Sequence, residues 1–399
     1  MPAPAVYLDN AATTPVLPEV RDAMAPFLDA TAFGNPSSPH QYGRAARAAV
    51  EQARRQVAAA VGADPRGVYF TSGGTEADNL AVLGGALAAR TAGRRFAVAV
   101  SSIEHKAVHG AAHAVEHLGG SAAELRVDAA GVVEVDAVDE ALTAGADVVA
   151  VMWVNNETGV IQHVHTLAER CTAASAWLVC DAVQALGKIP CAIGDLSRTM
   201  LSLSAHKIGG PKGVGALVLP EPHAVEPLIH GGGQQAGLRP GTENVPGIVG
   251  FGVAAELAAR RLAETAQHLR GLRDAFEAGV RRAIPDAVVH AVDGLRAPHV
   301  SSMAFPGTDS EAMLMHLDLA GVCCSSGSAC TTGAVTPSHV LTAMGVAHDV
   351  AVATLRFSFG RQNTMADVER ALEILPRVVA KVRDLGKVLG RSGGAREGR

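Results

Sequence analysis

Ser204-Ala-His-Lys-Ile-Gly-Gly-Pro-Lys-Gly-Val-Gly215 joins two apolar runs, Thr199 to Leu203 and Gly215 to Leu219. The first run stops at a hydroxyl, an imidazole and an amine before a glycine-rich turn, so it reads as a strand whose carboxyl end carries reactive groups. A lysine at the end of a buried strand is costly unless it has a partner or a role. Taken alone, Lys207 and Lys212 read equally well as exposed turn lysines. Upstream lies a second strand end, Val179-Cys-Asp181-Ala-Val-Gln184, which carries a carboxylate.

Moving outward, strands and helices alternate. Phe96 to Val100, Asp147 to Val154 and Trp177 to Asp181 read as strands, with helices near Ala107 to Leu118 and Thr166 to Ala174. That order predicts an α/β fold with a large, mostly parallel sheet and ligands at the carboxyl ends of its strands. Polar groups fall at four such ends: Glu104-His105, Asn155 to Thr158, Asp181 with Gln184, and His206-Lys207. A long apolar-faced helix from about Ile248 through Ala266, continuing toward Arg282, holds the domain boundary. The expected division is a large domain over 13–258, and a smaller α+β domain over 1–12 plus 259–389. The smaller one carries a loop at about 321–337, and 390–399 reads as a flexible tail.

Composition narrows the function classes. At 399 residues and 48% hydrophobic, the chain can build sizeable cores. No stretch approaches the roughly 18 uninterrupted apolar residues of a membrane helix. Met1 to Asp9 has neither a basic nor an apolar leader segment, which points to a cytoplasmic protein. A net charge of −5 with scattered arginines gives no electrostatic footprint for nucleic acid. Only six lysines stand among the 34 basic residues, so lysine is not routine surface charge here. The six cysteines show no CxxC pairing, and no metal site is expected.

Val68-Tyr-Phe-Thr-Ser-Gly-Gly-Thr-Glu-Ala-Asp-Asn-Leu80 reads as strand, glycine turn and helix start. Unpaired N–H groups and the helix dipole make such a helix start an anion site that suits a phosphate. An ordinary strand-to-helix turn has the same pattern. Together, however, an aspartate, a Ser-X-His-Lys and an anion cradle are the set that pyridoxal phosphate (PLP) chemistry requires: a partner for the ring nitrogen, an amine and a phosphate site.

The blocks YLDNAATTP, FGNPSS, FTSGGTEADN, EHKAV, VNNETGVIQ, DAVQALGK, SAHKIGGPKG, GGGQQAGLRPGTEN, SSGSACTTG and LRFSFG run in order from Tyr7 to about Arg361. In these the chain resembles the cysteine desulfurases of nitrogen fixation and iron–sulfur cluster assembly, within the class V aminotransferase group and PLP-dependent fold type I. The resemblance implies that Lys207 forms the covalent link to the cofactor and that Asp181 faces the ring nitrogen. It implies His105 stacked on the ring and assisting proton transfer, and Gln184 on the ring hydroxyl. Gly74, Thr75, Ser204 and His206 would hold the phosphate, with Thr242 reaching it from the neighbouring subunit of a homodimer. Asn156 and Arg356 would take the carboxylate of the substrate, L-cysteine, and Cys330 would carry the sulfur as a persulfide for an acceptor protein, an iron–sulfur scaffold or a sulfur carrier.

Gly321 to Gly333 is rich in small residues without periodicity and reads as a mobile loop with Cys330 near its end. From the residues alone, Cys330 is also readable as a buried thiol. A selenocysteine lyase or another class V aminotransferase-type enzyme would share Lys207 and Asp181 without needing Cys330, and an inactive assembly scaffold is a rival from another class. Three departures stand out: Gln235 where an acidic residue is common, His163 where a proline is common, and Cys324 as an extra thiol.

Overall fold

The computed structural model describes residues 5–194, 196–327, 329–331 and 334–393, without the side chains of 222, 329–331, 334–335 and 387–393. Among the described residues the strands are β1 (Val6–Tyr7), β2 (Val68–Thr71), β3 (Ala97–Ser101), β4 (Ser121–Leu125), β5 (Val148–Ala150), β6 (Trp177–Asp181), β7 (Thr199–Ser204), β8 (Gly215–Val218), β9 (Val288–Val289), β10 (Val300–Ala304), β11 (Val322–Cys323), β12 (Ala329–Thr331), β13 (Ala334–Thr336) and β14 (Thr354–Ser358). Seven of them form the main sheet in the order β2-β8-β7-β6-β5-β3-β4, in which only β8 runs against its neighbours. The mostly parallel sheet expected from the alternation is the one observed.

Successive residues of these strands face opposite sides, and both sides are covered. Leu178, Cys180 and Leu201 point into a core with α2 (Gln41–Ala60), α6 (Val164–Ala173) and α7 (Val245–Arg260). Val179 and Met200 point the other way, onto α3 (Gly74–Thr91) and α4 (Lys106–His117). Burial on both faces explains why these strands read as continuous apolar runs rather than alternating ones. A third core gathers Leu269 and Phe276 of α8 (Leu262–Ala283), Met313 of α9 (Ser310–Leu319), Phe357 of β14 and Leu375 of α12 (Met365–Gly393) with Val6 and Leu8 from the start of the chain.

Several expectations shift in detail. The long helix after Ile248 is two helices, since the chain leaves helical geometry at Arg261. Of the strand expected over Asp147 to Val154, Val148–Ala150 is regular strand; backbone bonds to β6 continue to Trp153, whose N–H reaches the Asp181 carbonyl, and the chain turns back at Asn155, which closes an Asx turn with the N–H groups of Glu157 and Thr158 at 2.9 Å each. The stretch expected to be an aperiodic loop carries β11, paired parallel to β1, and the hairpin β12–β13. Its β-branched threonines and Val335 suit strands. Residues 390–393 continue α12 rather than opening a tail, and the rest of the expected tail lies outside the described residues.

Candidate active site

The carboxyl ends of β6 and β7, the start of α3 and the Asn155 turn converge on one cavity of about 340 Å³. Its lining includes Gly74, Thr75, His105, Asn156, Asp181, Gln184, Ser204, His206, Lys207 and Arg356. Every expected site residue except Thr242 and Cys330 is therefore brought together. Thr242 is exposed, in the link before α7, and outside this cavity. Cys330 lies in β12, and its side chain is outside the described residues.

Close backbone approach sets the cradle. A Cβ at Gly215 would fall 2.7 Å from the Gly73 carbonyl carbon and 2.5 Å from the Leu203 carbonyl oxygen, so only glycine lets β8 pass beneath the start of α3. A Cβ at Gly74 would stand 2.9 Å from the Val183 side chain. No side chain caps α3, so its first N–H groups present an anion site opposite Ser204 and His206. Burial, then the nearby Lys207, pushes the His206 imidazole down to about 4, so it is neutral at physiological pH.

Lys207 donates to the Ala11 and Ala12 carbonyls at 2.6 and 2.8 Å. Burial and then the Arg356 guanidinium push its amine down to about 8, against the pull of Asp181 and Asp9. Asp181 is buried, and one carboxylate oxygen accepts the Val183 N–H at 2.8 Å. Burial raises it to about 6, opposed by that hydrogen bond and by Lys207. A cation brought against it inside the cavity would restore its ionised form. His105 caps α4, its Nδ1 accepting the Ala107 N–H at 3.2 Å, so the proton of the neutral ring sits on Nε2. Burial, then Lys207, lowers its proton affinity.

Arg356 donates to the Asn156 carbonyl at 3.0 Å and to Asp9 at 2.8 Å, and its buried Nε has no partner among the described residues. A guanidinium with an unused donor in a cavity is suited to a carboxylate. Gln184 gives its amide nitrogen to the Ala11 carbonyl at 2.8 Å and accepts from His299 at 3.1 Å.

Sequence reasoning missed three groups here. Asp9 and the Ala11 and Ala12 carbonyls come from a segment that looked like an ordinary polar turn. Asp78 lines the cavity from the first turns of α3, and burial and the adjacent Asp181 raise its carboxyl well above the usual range. Glu104, singled out as a strand-end group, instead accepts from Ser101 and from the Met152 N–H, and burial lifts it to about 8. It is a buttress outside the cavity.

The hairpin bearing Cys330 is tied down at both flanks. Ser325 exchanges backbone hydrogen bonds with Arg356, and Ser338 donates to Glu157 at 2.5 Å. Cys171, Cys180, Cys191 and Cys324 are all pushed up by burial, and Cys323 by burial and then Asp318, so none of the five is a ready thiolate.

This geometry has close relatives. The family model described as Aminotransferase class-V matches residues 6–371. The chain belongs to that family. Within it the chain is similar to cysteine desulfurases: it is 43% identical over 396 residues to one from Gluconacetobacter diazotrophicus, covering 99% of this chain and 98% of the relative. It is 41% identical over 380 residues to the cysteine desulfurase IscS of Dictyoglomus turgidum, covering 95% and 96%. The solved structure of a NifS-like protein matches with a TM-score of 0.87 at 33% identity, over 94% of this chain and 99% of that one. Among the described residues, no helix is long and apolar enough to cross a membrane.

Proposed function

We propose that this chain is a PLP-dependent cysteine desulfurase, which converts L-cysteine to L-alanine and holds the sulfur as a persulfide on Cys330. The observation that carries the proposal is the single cavity in which a buried amine of lowered basicity, Lys207, faces a buried carboxylate, Asp181, beside an uncapped helix start.

The residues present fit PLP. Asp181 is a buried carboxylate in want of a cation and suits the protonated ring nitrogen. The uncapped start of α3 with Ser204 and His206 suits the phosphate, His105 the ring face, and Gln184 the ring hydroxyl. When bound there, PLP supplies an electron sink for charge developing at the substrate Cα.

The chain's own groups do the rest. Arg356 and Asn156 orient the substrate carboxylate. Lys207, neutral in a useful fraction near pH 8, takes the Cα proton, and His105 assists further proton transfer. The Cys330 thiolate attacks the substrate sulfur: an S–S bond forms, the C–S bond breaks, and its electron pair stays with the carbon skeleton, which takes up protons to leave as alanine. In this reading the enzyme is a cytoplasmic homodimer in which exposed Thr242 reaches the neighbouring subunit's phosphate site. The persulfide passes to an acceptor protein, an iron–sulfur scaffold or a sulfur carrier. Turnover of L-cysteine, L-selenocysteine and L-cysteine sulfinate tests it in the purified protein. Alanine formation from cysteine that depends on Cys330 is expected, whereas turnover confined to selenocysteine or indifferent to Cys330→Ser would refute it.

A further inference from the structure

Lys188 is 8% exposed and lies at the end of the turn that Asp181 opens. It borders a second cavity of about 200 Å³ on the far side of Lys207, walled by Leu17, Ile208, Leu269 and Phe359. Among the described residues the groups that act on its charge are Lys207 and Cys191, with no carboxylate among them. An aliphatic side chain would fill this place without the cost of desolvating an amine. What an aliphatic side chain could not supply is a donor to the Lys207 carbonyl, which Lys188 Nζ reaches at 2.5 Å.

That carbonyl belongs to the last residue of the short 3-10 turn Ala205–Lys207, which the Ile208 N–H closes onto the Ala205 carbonyl at 3.0 Å. Thr14, which lines the same cavity, also holds this turn, giving its N–H at 2.9 Å and its hydroxyl at 2.8 Å to the His206 carbonyl. The segment from Asp181 to Lys188 grips the reactive lysine twice. Gln184 shares the Ala11 carbonyl with the Lys207 amine, and Lys188 holds the Lys207 backbone. Gln184 is itself fixed: its nitrogen must face the Ala11 carbonyl, so its oxygen faces His299, whose Nε2 then carries the proton.

We propose that Lys188 is a positioning residue for Lys207, whose hydrogen bond to the Lys207 carbonyl aims the Lys207 amine at the substrate Cα. The inference rests on the reading of Lys207 as the reactive amine. The aim of the free Lys207 amine at the substrate Cα depends on where its own backbone is held. Misplacement of a reacting group by about 1 Å costs on the order of a hundredfold in rate. Burial, then Lys207, lowers Lys188 to about 7, so above that pH it acts as a neutral donor and a neutral amide can stand in for it.

The test uses the full chain loaded with PLP. Borohydride reduction and peptide mapping first locate the bound cofactor; a cofactor attached elsewhere than Lys207 sinks the reading of Lys207 before any Lys188 variant is examined. Lys188→Met, loaded to the same extent, is then expected to lose about tenfold or more in kcat with KM for L-cysteine within about twofold of the parent. The kinetic isotope effect of L-cysteine deuterated at Cα should rise, because proton removal becomes slower relative to the other steps. Lys188→Gln, which keeps an N–H donor, should recover part of the loss. A loaded Lys188→Met with parental kcat and isotope effect overturns the proposal, as does a Lys188→Gln no better than Lys188→Met. If Lys188→Met does not fold, Lys188→Ala, which also removes the donor, decides: a raised isotope effect at unchanged KM supports the proposal, and an unchanged isotope effect overturns it.

Discussion

Replacing Asp181 by asparagine should make the cofactor-free chain more stable and the loaded chain less so. The buried carboxylate is raised from 3.8 to about 6 by desolvation that the Val183 N–H and Lys207 only partly offset. An acid whose folded pKa is raised binds its proton more tightly when folded, so above about pH 6 the ionised form opposes folding. A rise of about 2 pH units is worth about 3 kcal/mol. Asparagine keeps the oxygen that accepts from Val183 and removes the charge. With an unfolding entropy of about 2.1 cal/mol/K per residue, the gain is about 3–4 °C in melting temperature. Calorimetry of the cofactor-free chain at pH 7.5 should therefore show Asp181→Asn melting above the parent. The difference should shrink between pH 6 and 4 and vanish below that, where both chains carry a neutral group. Added PLP should reverse the order, because the parent alone offers the ring nitrogen a full negative charge. A variant that melts at or below the parent at pH 7.5, or a gain that persists at pH 4, would refute the burial argument.

Three further perturbations follow from the same geometry. Gly74→Ala places a methyl group 2.9 Å from the Val183 side chain at the anion site, and overpacking of about 1–3 kcal/mol should weaken PLP binding by roughly 5- to 150-fold in an absorbance titration. Arg356→Lys loses the fork that spans Asp9 and the Asn156 carbonyl; the loss of a charged hydrogen bond, about 1.5–3 kcal/mol, should lower kcat/KM for L-cysteine by ten- to a hundredfold, mostly through KM, in steady-state assays. Ser338→Ala removes the hydroxyl that holds Glu157 and caps Val340 and Leu341; about 1 kcal/mol of cap energy is lost, and limited proteolysis should cut between 325 and 338 sooner while PLP stays bound.

The sheet and most of the site could be read from the sequence because strand ends announce themselves: an apolar run that stops at Asp181 or at His206-Lys207 locates both the strand and the group it presents. The resemblance then supplied roles that spacing alone left open, for Gln184 and Arg356 above all. What stayed hidden depends on distant segments meeting. Ala11 and Ala12 serve Lys207 through backbone carbonyls, which leave no mark on residue type. Asp9 gains its meaning only when β14 brings Arg356 beside it. Lys188 had a signal, as one of the few lysines, yet its partner is a carbonyl 19 residues on. Thr242 lies outside the cavity of its own chain, so its expected role turns on a second copy.

The central claim is that sulfur leaves cysteine onto Cys330. Its most direct test is a single turnover of the PLP-loaded chain with one equivalent of L-cysteine labelled with radioactive sulfur, followed by alkylation and peptide mapping. The account predicts one added sulfur on the peptide containing Cys330, alanine formed in equal amount, and neither product from Cys330→Ser. Label retained on Cys323 or Cys324 in the Cys330→Ser chain, with alanine still formed at the parental rate, would contradict it.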